Sequence, residues 1–377
     1  MKKHKTILIQ AGLFLVTTLV TTFAGLEWIK GYSIFESKWT WADLGEAFLY
    51  YTLPFLGFLT VHEFGHYFMA QKRKVAVTLP YYIPAWFAIM PSIGTVGAFI
   101  RIKELVNTRL KYFDIGVAGP LAGFVVAFFV LIYGYSHLPG LDFLFQVHPE
   151  YAQYGADYAQ HVYASGEEVL SFRMGDSLLT SWVKNTFADP ALLPHENELA
   201  HYPFILAGYL GLFFTALNLL PIGQLDGGHI LFALIGEKRF NKLSPVLFVL
   251  FTFYAGLGFF NVYELQSAIF RNDWATLGNF LLFVYFTYLC LSRVTESQST
   301  NWMLALGLIL VQLLLTLVFP GIEGYSGFLA FSFLLGRFLG IYHPPVVDQK
   351  PLDLRRQVIG WLALLIFVLC MSPNPFY

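Results

Sequence analysis

The chain consists largely of apolar stretches of about 20 residues that are separated by short polar segments. A helix of that length can cross the hydrocarbon core of a bilayer. Charged residues make up 12% of the chain, roughly half of the share found in soluble domains. The pattern predicts an all-α polytopic membrane protein with about eight or nine transmembrane helices. The predicted spans are residues 7–29, 46–70, 112–136, a broken fourth helix at 202–220 and 226–236, then 243–263, 275–292, 301–319, a short 326–341, and 357–371.

Basic residues mark the connections that face the cytoplasm. Lysines near the N-terminus predict that it is cytoplasmic. The basic runs at 72–74 and 101–111 predict the same for the connection between the second and third spans, and the run at 238–242 for the connection after the fourth. Residues 137–201 contain nine acidic residues but only two basic ones, so this segment is expected to face outward. With a net charge of −1, the chain has no excess of positive charge for nucleic acid, and no nucleic-acid partner is expected.

The strongest chemical signal is the H-E-F-G-H motif at residues 62–66, inside the second predicted span. On a helix, His62 and His66 are four residues apart and project from one face. Glu63 lies about 100° around the helix from His62, where it can act on a water molecule without ligating a metal. The pattern is typical of zinc hydrolases. The alternative is a structural pair of histidines.

A catalytic zinc site takes three protein ligands and keeps one position open. The best candidate for the third ligand is Asp226, at the break in the fourth predicted helix. A carboxylate in an apolar run is costly unless it is paired or bound to a metal. Gly227 and Gly228 allow the backbone to approach the site closely. The residues alone leave a helix-packing role for Asp226 open, and they leave His229 either near the metal or structural.

Residues 75–111 follow a different pattern. Pro80, Pro84 and Pro91 forbid a continuous helix, and residues 94–103 are β-branched and partly alternating, which indicates a strand. Non-helical backbone at membrane depth is tolerated only against protein or a water-filled cavity. We therefore predict a re-entrant β-hairpin whose edge could bind an extended substrate. An ordinary cytoplasmic loop is the alternative.

The chain is expected to divide into an N-terminal helix and outer loop (1–44), a core (45–236) and a set of C-terminal helices (237–377). The first apolar stretch exceeds the roughly 7–15 residues of a signal-peptide core and is expected to be a retained helix. Residues 137–201, the outer segment, have five histidines, which suggest a second metal site as one hypothesis. Because no pair of them has a ligand spacing, a solvated loop is the expectation. Cys290 and Cys370 are expected to be buried apolar residues.

Four short sequences together resemble the site-2 protease family of intramembrane zinc metalloproteases, of the type without a PDZ-like insertion. These are the motif at 62–66, G-P-L-A-G at 119–123, N-L-L-P at 218–221 and L-D-G-G-H at 225–229. The resemblance covers about residues 45–236. It implies a zinc ion (Zn2+) as the cofactor, with Glu63 as the catalytic residue. The metal ligands that it implies are His62, His66 and Asp226.

The resemblance also implies a substrate site. Asn218 matches an asparagine that holds substrate near the metal, and the segment from residue 94 to residue 99 is similar to a membrane-embedded β-hairpin of such proteases. The implied substrate-binding residues of this hairpin are Gly94, Thr95, Val96 and Gly97.

The implied function is cleavage of a single-span membrane protein within the lipid bilayer, near the cytoplasmic face, as in regulated intramembrane proteolysis. The implied location is the bacterial cell membrane, with a cytoplasmic N-terminus. A zinc protease of cytosolic tails, similar to the prenyl-protein endoproteases, is disfavoured because those enzymes use a glutamate as third ligand. A membrane zinc transporter or a non-catalytic metal-binding scaffold is the other alternative, and neither would need Glu63.

Overall fold

The computed structural model describes residues 2–36, 38–87, 92–163 and 172–377, which are mostly helical. The chain forms two compact units. The first unit comprises Met1–Val106, Asp114–Asn218 and Leu365–Tyr377, and the second comprises Asn107–Phe113 and Leu219–Leu364.

Among the described residues, eight helices lie wholly or mostly in the first unit: α1 (Lys2–Lys30), α2 (Trp41–Ala47), α3 (Leu53–Lys72), α4 (Arg109–Ser136), α5 (Leu141–Val147), α6 (Tyr158–Val162), α7 (Leu178–Phe187) and α8 (Pro203–Leu219). The centre of this unit is aromatic. Tyr51, Phe55 and Phe58 are fully buried and their rings stack in sequence. Spacings of four and three residues keep these rings on one helix face, and that face packs against Phe214 of α8.

Helices α2 and α3 form one long helix. A π-helical turn at Phe48–Thr52 joins them, so that the helix runs without a break from Trp41 to Lys72. Its first turn is fixed by a capping box between Thr40 and Asp43, which satisfies backbone N–H groups that no helical carbonyl can reach. The second predicted span, at residues 46–70, lies inside this helix.

Five helices of the described residues are long and apolar enough to cross a membrane: His4–Lys30, Trp41–Lys72, Arg109–Ser136, Trp274–Leu291 and Gln298–Val318. They match the first, second, third, sixth and seventh predicted spans. The fourth predicted span is broken, as expected, into Pro203–Leu219 and Asp226–Ile235. The count of about eight or nine spans is not confirmed. The fifth predicted helix starts earlier, in the charged residues 237–242, and the last helix has only 17 residues.

The predicted hairpin is confirmed as a two-stranded antiparallel sheet of β1 (Tyr81–Ala85) and β2 (Gly94–Phe99). The pairing skips Val96, because Ile83 pairs with Gly97 while Pro84 pairs with Thr95. A proline, which has no N–H to donate, is well placed at such a bulge. Residues 88–91, which include Pro91, lie outside the described residues. Entry of the hairpin into the membrane stays a prediction.

The outer segment is structured where it is described, so the expectation of a solvated loop was wrong. Besides α5, α6 and α7, it contains two 3-10 segments, Pro149–Asp157 and Glu196–His201. Leu144, Tyr151 and Tyr158 form a small buried cluster. Aromatic side chains supply this local core although the segment as a whole is polar.

In the part of the chain that the structure describes, seven helices lie wholly or mostly in the second unit: α9 (Asp226–Ile235), α10 (Glu237–Gly256), α11 (Val262–Arg271), α12 (Trp274–Leu291), α13 (Gln298–Val318), α14 (Phe328–Leu334) and α15 (Leu354–Cys370). A π-helical segment at Leu335–Leu339 continues α14. Its Gly336 lies so close to the carbonyl of Cys290 that a β-carbon would overlap it. Cys290 and Cys370 are both free and buried, as expected.

Candidate metal centre

The two histidines of the motif face each other on α3. Their Nε2 atoms are 3.1 Å apart, and the residues are 2% and 7% exposed. The spacing of four residues along the helix produces this pairing, as the sequence predicts. His62 and His66 are therefore brought together in the interior of the first unit.

A main-chain carbonyl orients the second imidazole. Nδ1 of His66 lies 2.8 Å from the carbonyl oxygen of Ile115 on α4. Because a carbonyl oxygen can only accept, Nδ1 carries the proton and donates it, which leaves a lone pair on Nε2. A hydrogen bond of this kind fixes the tautomer and the ring orientation of a metal-binding histidine. Sequence reasoning missed Ile115, and no side-chain pattern could have revealed a main-chain acceptor.

Glycines let α4 approach the histidines. A β-carbon on Gly119 would overlap the ring of His66, and one on Gly123 would press on the β-carbon of His62. On the facing helix, a β-carbon on Gly65 would overlap the carbonyl of Ala118. Small residues permit this close packing of helices.

Glu63 is 4% exposed, and its Oε1 lies 4.0 Å from Nε2 of His62. The carboxylate is thus beside the imidazole pair and on the same helix. Its role in proton transfer stays a prediction.

The imidazole pair fits a zinc ion. Two nitrogen ligands about 2.05 Å from a tetrahedral zinc ion are about 3.3 Å apart, and the two Nε2 atoms are 3.1 Å apart. The hydrogen bond from His66 to Ile115 places the ring proton on Nδ1, so that Nε2 is the nitrogen that can offer a lone pair to a metal. Imidazole nitrogen is among the preferred donors of zinc.

Asp226 is the first residue of α9 and is half-buried. The turn before it is very tight. A β-carbon on Gly227 would lie 1.9 Å from the carbonyl oxygen of Leu219, and one on Gly228 would lie 2.3 Å from that of Gly223. The two glycines therefore allow α9 to begin directly against the end of the preceding helix, which explains the D-G-G sequence within the second unit.

The predicted substrate residues of the hairpin differ in their surroundings. Thr95 is fully buried, and its hydroxyl donates to the carbonyl of Ile83 at 2.7 Å. The same hydroxyl accepts from the N–H of Gly97 at 3.0 Å. Gly94 packs on Thr21 of α1. Val96, the bulge residue, is 60% exposed. Among these four predicted residues, only Val96 presents a largely exposed side chain.

The two remaining candidates from the sequence are Asn218 and His229. Asn218 is half-buried near the end of α8. Nδ1 of His229 lies 3.0 Å from Nε2 of His343, and His343 stacks on Phe232. Within the second unit, His229 is thus part of an aromatic and histidine cluster, in agreement with a structural role.

Comparison with known proteins supports the interpretation of the motif. Peptidase family M50 matches residues 50–260, which is more than half of the chain. Probable zinc metalloprotease EGY2, chloroplastic, of Oryza sativa subsp. indica is 27% identical over 241 residues, 64% of this chain and 36% of that protein. Probable zinc metalloprotease EGY1, chloroplastic, of Arabidopsis thaliana is 30% identical over 198 residues, 52% of this chain and 31% of that protein.

The chain spans about a third of the length of these two curated relatives. No solved structure matches it. The apolar helices and the family together indicate a multi-pass membrane protein. The matched relatives are chloroplastic, so their names do not support the predicted bacterial membrane, and the sidedness of the N-terminus stays a prediction. The family match extends over the H-E-F-G-H helix with its paired imidazoles and over the D-G-G turn, and this chain belongs to peptidase family M50.

Proposed function

We propose that the chain is an intramembrane zinc endopeptidase that cleaves a transmembrane segment of a single-span membrane protein near the cytoplasmic face. The observation that carries the proposal is the buried pair of His62 and His66, with Glu63 beside it, on a helix long and apolar enough to span a membrane. Ionisable groups at membrane depth are costly and usually functional. Membership of a peptidase family supports a hydrolytic use of these three residues.

Asp226 is our candidate for the third zinc ligand. Two imidazoles leave a catalytic zinc site one protein ligand short. Asp226 is an acidic residue at the start of an apolar helix, and its turn is built by glycines that no side chain could replace without overlap. A carboxylate also offsets part of the charge of a divalent ion. These features support the assignment together with the family resemblance.

Glu63 is our candidate for the residue that transfers the proton. A zinc ion held by His62, His66 and Asp226 would supply Lewis acidity for the scissile carbonyl and for the attacking water. Glu63 accepts the proton of the attacking water and passes it to the departing amine. Because Glu63 is 4% exposed, bulk water does not compete for this proton.

The hairpin is our candidate for holding the substrate. The carbonyls of a transmembrane helix are hydrogen-bonded within the helix, so the substrate must unwind before attack. An extended segment can add to a free sheet edge through main-chain hydrogen bonds, and only two strands form this sheet in the described chain. Val96 contributes a side-chain contact, and the amide of Asn218 holds the unwound backbone near the site of cleavage.

The test is reconstitution in lipid vesicles with a panel of single-span substrates. Glu63→Gln should lower the cleavage rate by about 10²- to 10⁴-fold, the usual contribution of a general base, while the zinc content stays unchanged. The matched control is Val61→Ala, which alters an exposed residue of the same helix and should cleave normally.

Cleavage by Glu63→Gln at the wild-type rate would remove Glu63 from the proposed role. If the wild-type protein cleaves no substrate of the panel but carries zinc across the vesicle membrane, and Glu63→Gln does so equally well, the transporter alternative is correct instead.

A further inference from the structure

We infer a second metal site in the outer segment, where His148, Glu198 and His201 bind a divalent transition-metal ion, with zinc as the best fit. Nε2 of His148 lies 3.3 Å from Nε2 of His201. Oε2 of Glu198 lies 3.6 Å from each of these two nitrogens. All three residues belong to the first unit, and the site does not depend on the proposed protease centre.

The local backbone explains how two of these ligands come together. Glu198 and His201 are three residues apart in the 3-10 segment Glu196–His201. A 3-10 helix has three residues per turn, so side chains at this spacing lie on the same face. His148 follows directly after α5 and reaches the same point from 53 positions earlier in the chain.

The hydrogen bonds of the imidazoles leave both Nε2 atoms as acceptors. Nδ1 of His201 lies 2.5 Å from the carbonyl oxygen of Trp28, which can only accept. Nδ1 of His148 lies 3.2 Å from a carboxylate oxygen of Glu150. Each Nδ1 therefore carries the ring proton. Two lone pairs and one carboxylate oxygen then converge on the same small space, an arrangement that favours a bound cation.

Glu198 provides an independent sign of a missing partner. The residue is 2% exposed. Its Oε1 accepts a hydrogen bond from the hydroxyl of Tyr163, whereas Oε2 has no hydrogen-bond partner among the described residues. Leaving a buried acceptor unsatisfied is costly, and more so for a charged group. An ion between Oε2 and the two imidazoles would satisfy it.

The geometry suits zinc. Ligand atoms about 2.05 Å from a tetrahedral zinc ion are about 3.3 Å apart, close to the separations of 3.3 and 3.6 Å found here. The partners of the ligands also match a metal site, because each histidine donates its second N–H to an oxygen. The side chain of His148 is 26% exposed, which leaves a path for the ion from solvent.

An ion at this point would have a structural consequence. His148 and the 3-10 segment Glu196–His201 would be linked directly, and the bond from His201 to Trp28 would connect both to the end of α1. The ion would therefore link the outer segment to the first helix.

The test uses the purified full-length protein in detergent. Zinc per chain is measured by mass spectrometry after dialysis, and Co2+ is used as a spectroscopic probe of the ligands. Glu198→Gln keeps an oxygen for Tyr163 but loses the charge, and should lower the affinity for one ion by more than about tenfold, since loss of an outer partner alone costs 10- to 100-fold. His148→Ala should have the same effect.

His161→Ala is the matched control. His161 is an exposed histidine of the same segment, with Nδ1 bonded to the carbonyl of Asp157, and its loss should leave both readouts unchanged. Equal zinc content and equal Co2+ spectra in wild type and Glu198→Gln would overturn the inference and indicate a proton between the two imidazoles. If His148→Ala fails to fold, Glu198→Gln decides the question, with thermal unfolding as its folding check.

Discussion

A β-carbon at residue 119 would lie 2.2 Å from Nε2 of His66. No real side chain tolerates such a distance, so the absence of a side chain at Gly119 determines where the imidazole can be. The same helix also offers the carbonyl of Ile115 to Nδ1 of that ring. The backbone of α4 thus acts on both nitrogens of His66: it orients one and leaves room for the other.

Gly119→Ala should therefore damage the centre through packing alone. The added methyl must displace the ring or the helix, at a cost of about 1–3 kcal/mol of stability, and zinc content and cleavage should fall together. Thermal unfolding and zinc per chain measure the two effects. Gly57→Ala is the control, because a β-carbon there meets nothing within 4 Å. Full zinc retention in Gly119→Ala would contradict this account of the packing.

Asp226→Ala tests the proposed third ligand. The variant should lose zinc affinity by more than about tenfold, since even the loss of an outer partner costs that much, and cleavage should disappear. Zinc per chain is the direct measurement. Glu264→Ala removes an exposed acidic residue from the second unit and should bind zinc normally. Unchanged zinc content in Asp226→Ala would reject Asp226 as a ligand while leaving the outer site untouched.

Gly227→Ala tests the turn that precedes α9 without altering any proposed ligand. A β-carbon there would lie 1.9 Å from the carbonyl oxygen of Leu219, so the start of α9 must shift. We expect a loss of about 1–3 kcal/mol of stability, measured by thermal unfolding in detergent. Gly307→Ala, in open space on α13, should be neutral or slightly stabilising, because alanine is the better helix former. Equal melting temperatures of Gly227→Ala and Gly307→Ala would show that the turn can accommodate a β-carbon without loss of stability.

Thr95→Val tests the hairpin. The valine keeps the shape but leaves the carbonyl of Ile83 and the N–H of Gly97 without the hydroxyl, at a cost of about 1–3 kcal/mol. Hydrogen exchange of residues 81–85 and 94–99 should become faster, and substrate cleavage should weaken with it. Thr95→Ser keeps the hydroxyl and should behave as wild type. If Thr95→Val lowers cleavage without faster exchange, Thr95 contacts substrate directly.

The imidazole pair was predictable because its geometry is local. A four-residue spacing on one apolar helix specifies which side chains meet, and the helix at Leu53–Lys72 has them as expected. The hairpin was predictable for a similar reason, since prolines and β-branched residues restrict the backbone of each residue directly. The break before Asp226 could also be read from Pro221 and the glycines around it.

Contacts between distant segments could not be read from the sequence. His148 and His201 have no ligand spacing, and only the 3-10 geometry and the fold of the outer segment bring their nitrogens within 3.3 Å. The role of Thr95 was also hidden, because its hydroxyl serves the main chain of its own hairpin. The number of spans was uncertain because the fifth predicted helix begins among charged residues.

The π-helical turn at Phe48–Thr52 divides the long helix Trp41–Lys72 into α2 and α3. The rotation of α2 about the helix axis can therefore change without a change in α3. Successive residues of an α-helix are rotated by about 100° about its axis. Insertion or deletion of one residue in the π-helical turn would therefore rotate the side chains of Trp41–Ala47 about that axis and would not change the orientation of those from Leu53 onward. Insertions or deletions in this turn can therefore reorient Trp41–Ala47 while His62 and His66, further along the same helix, keep their direction.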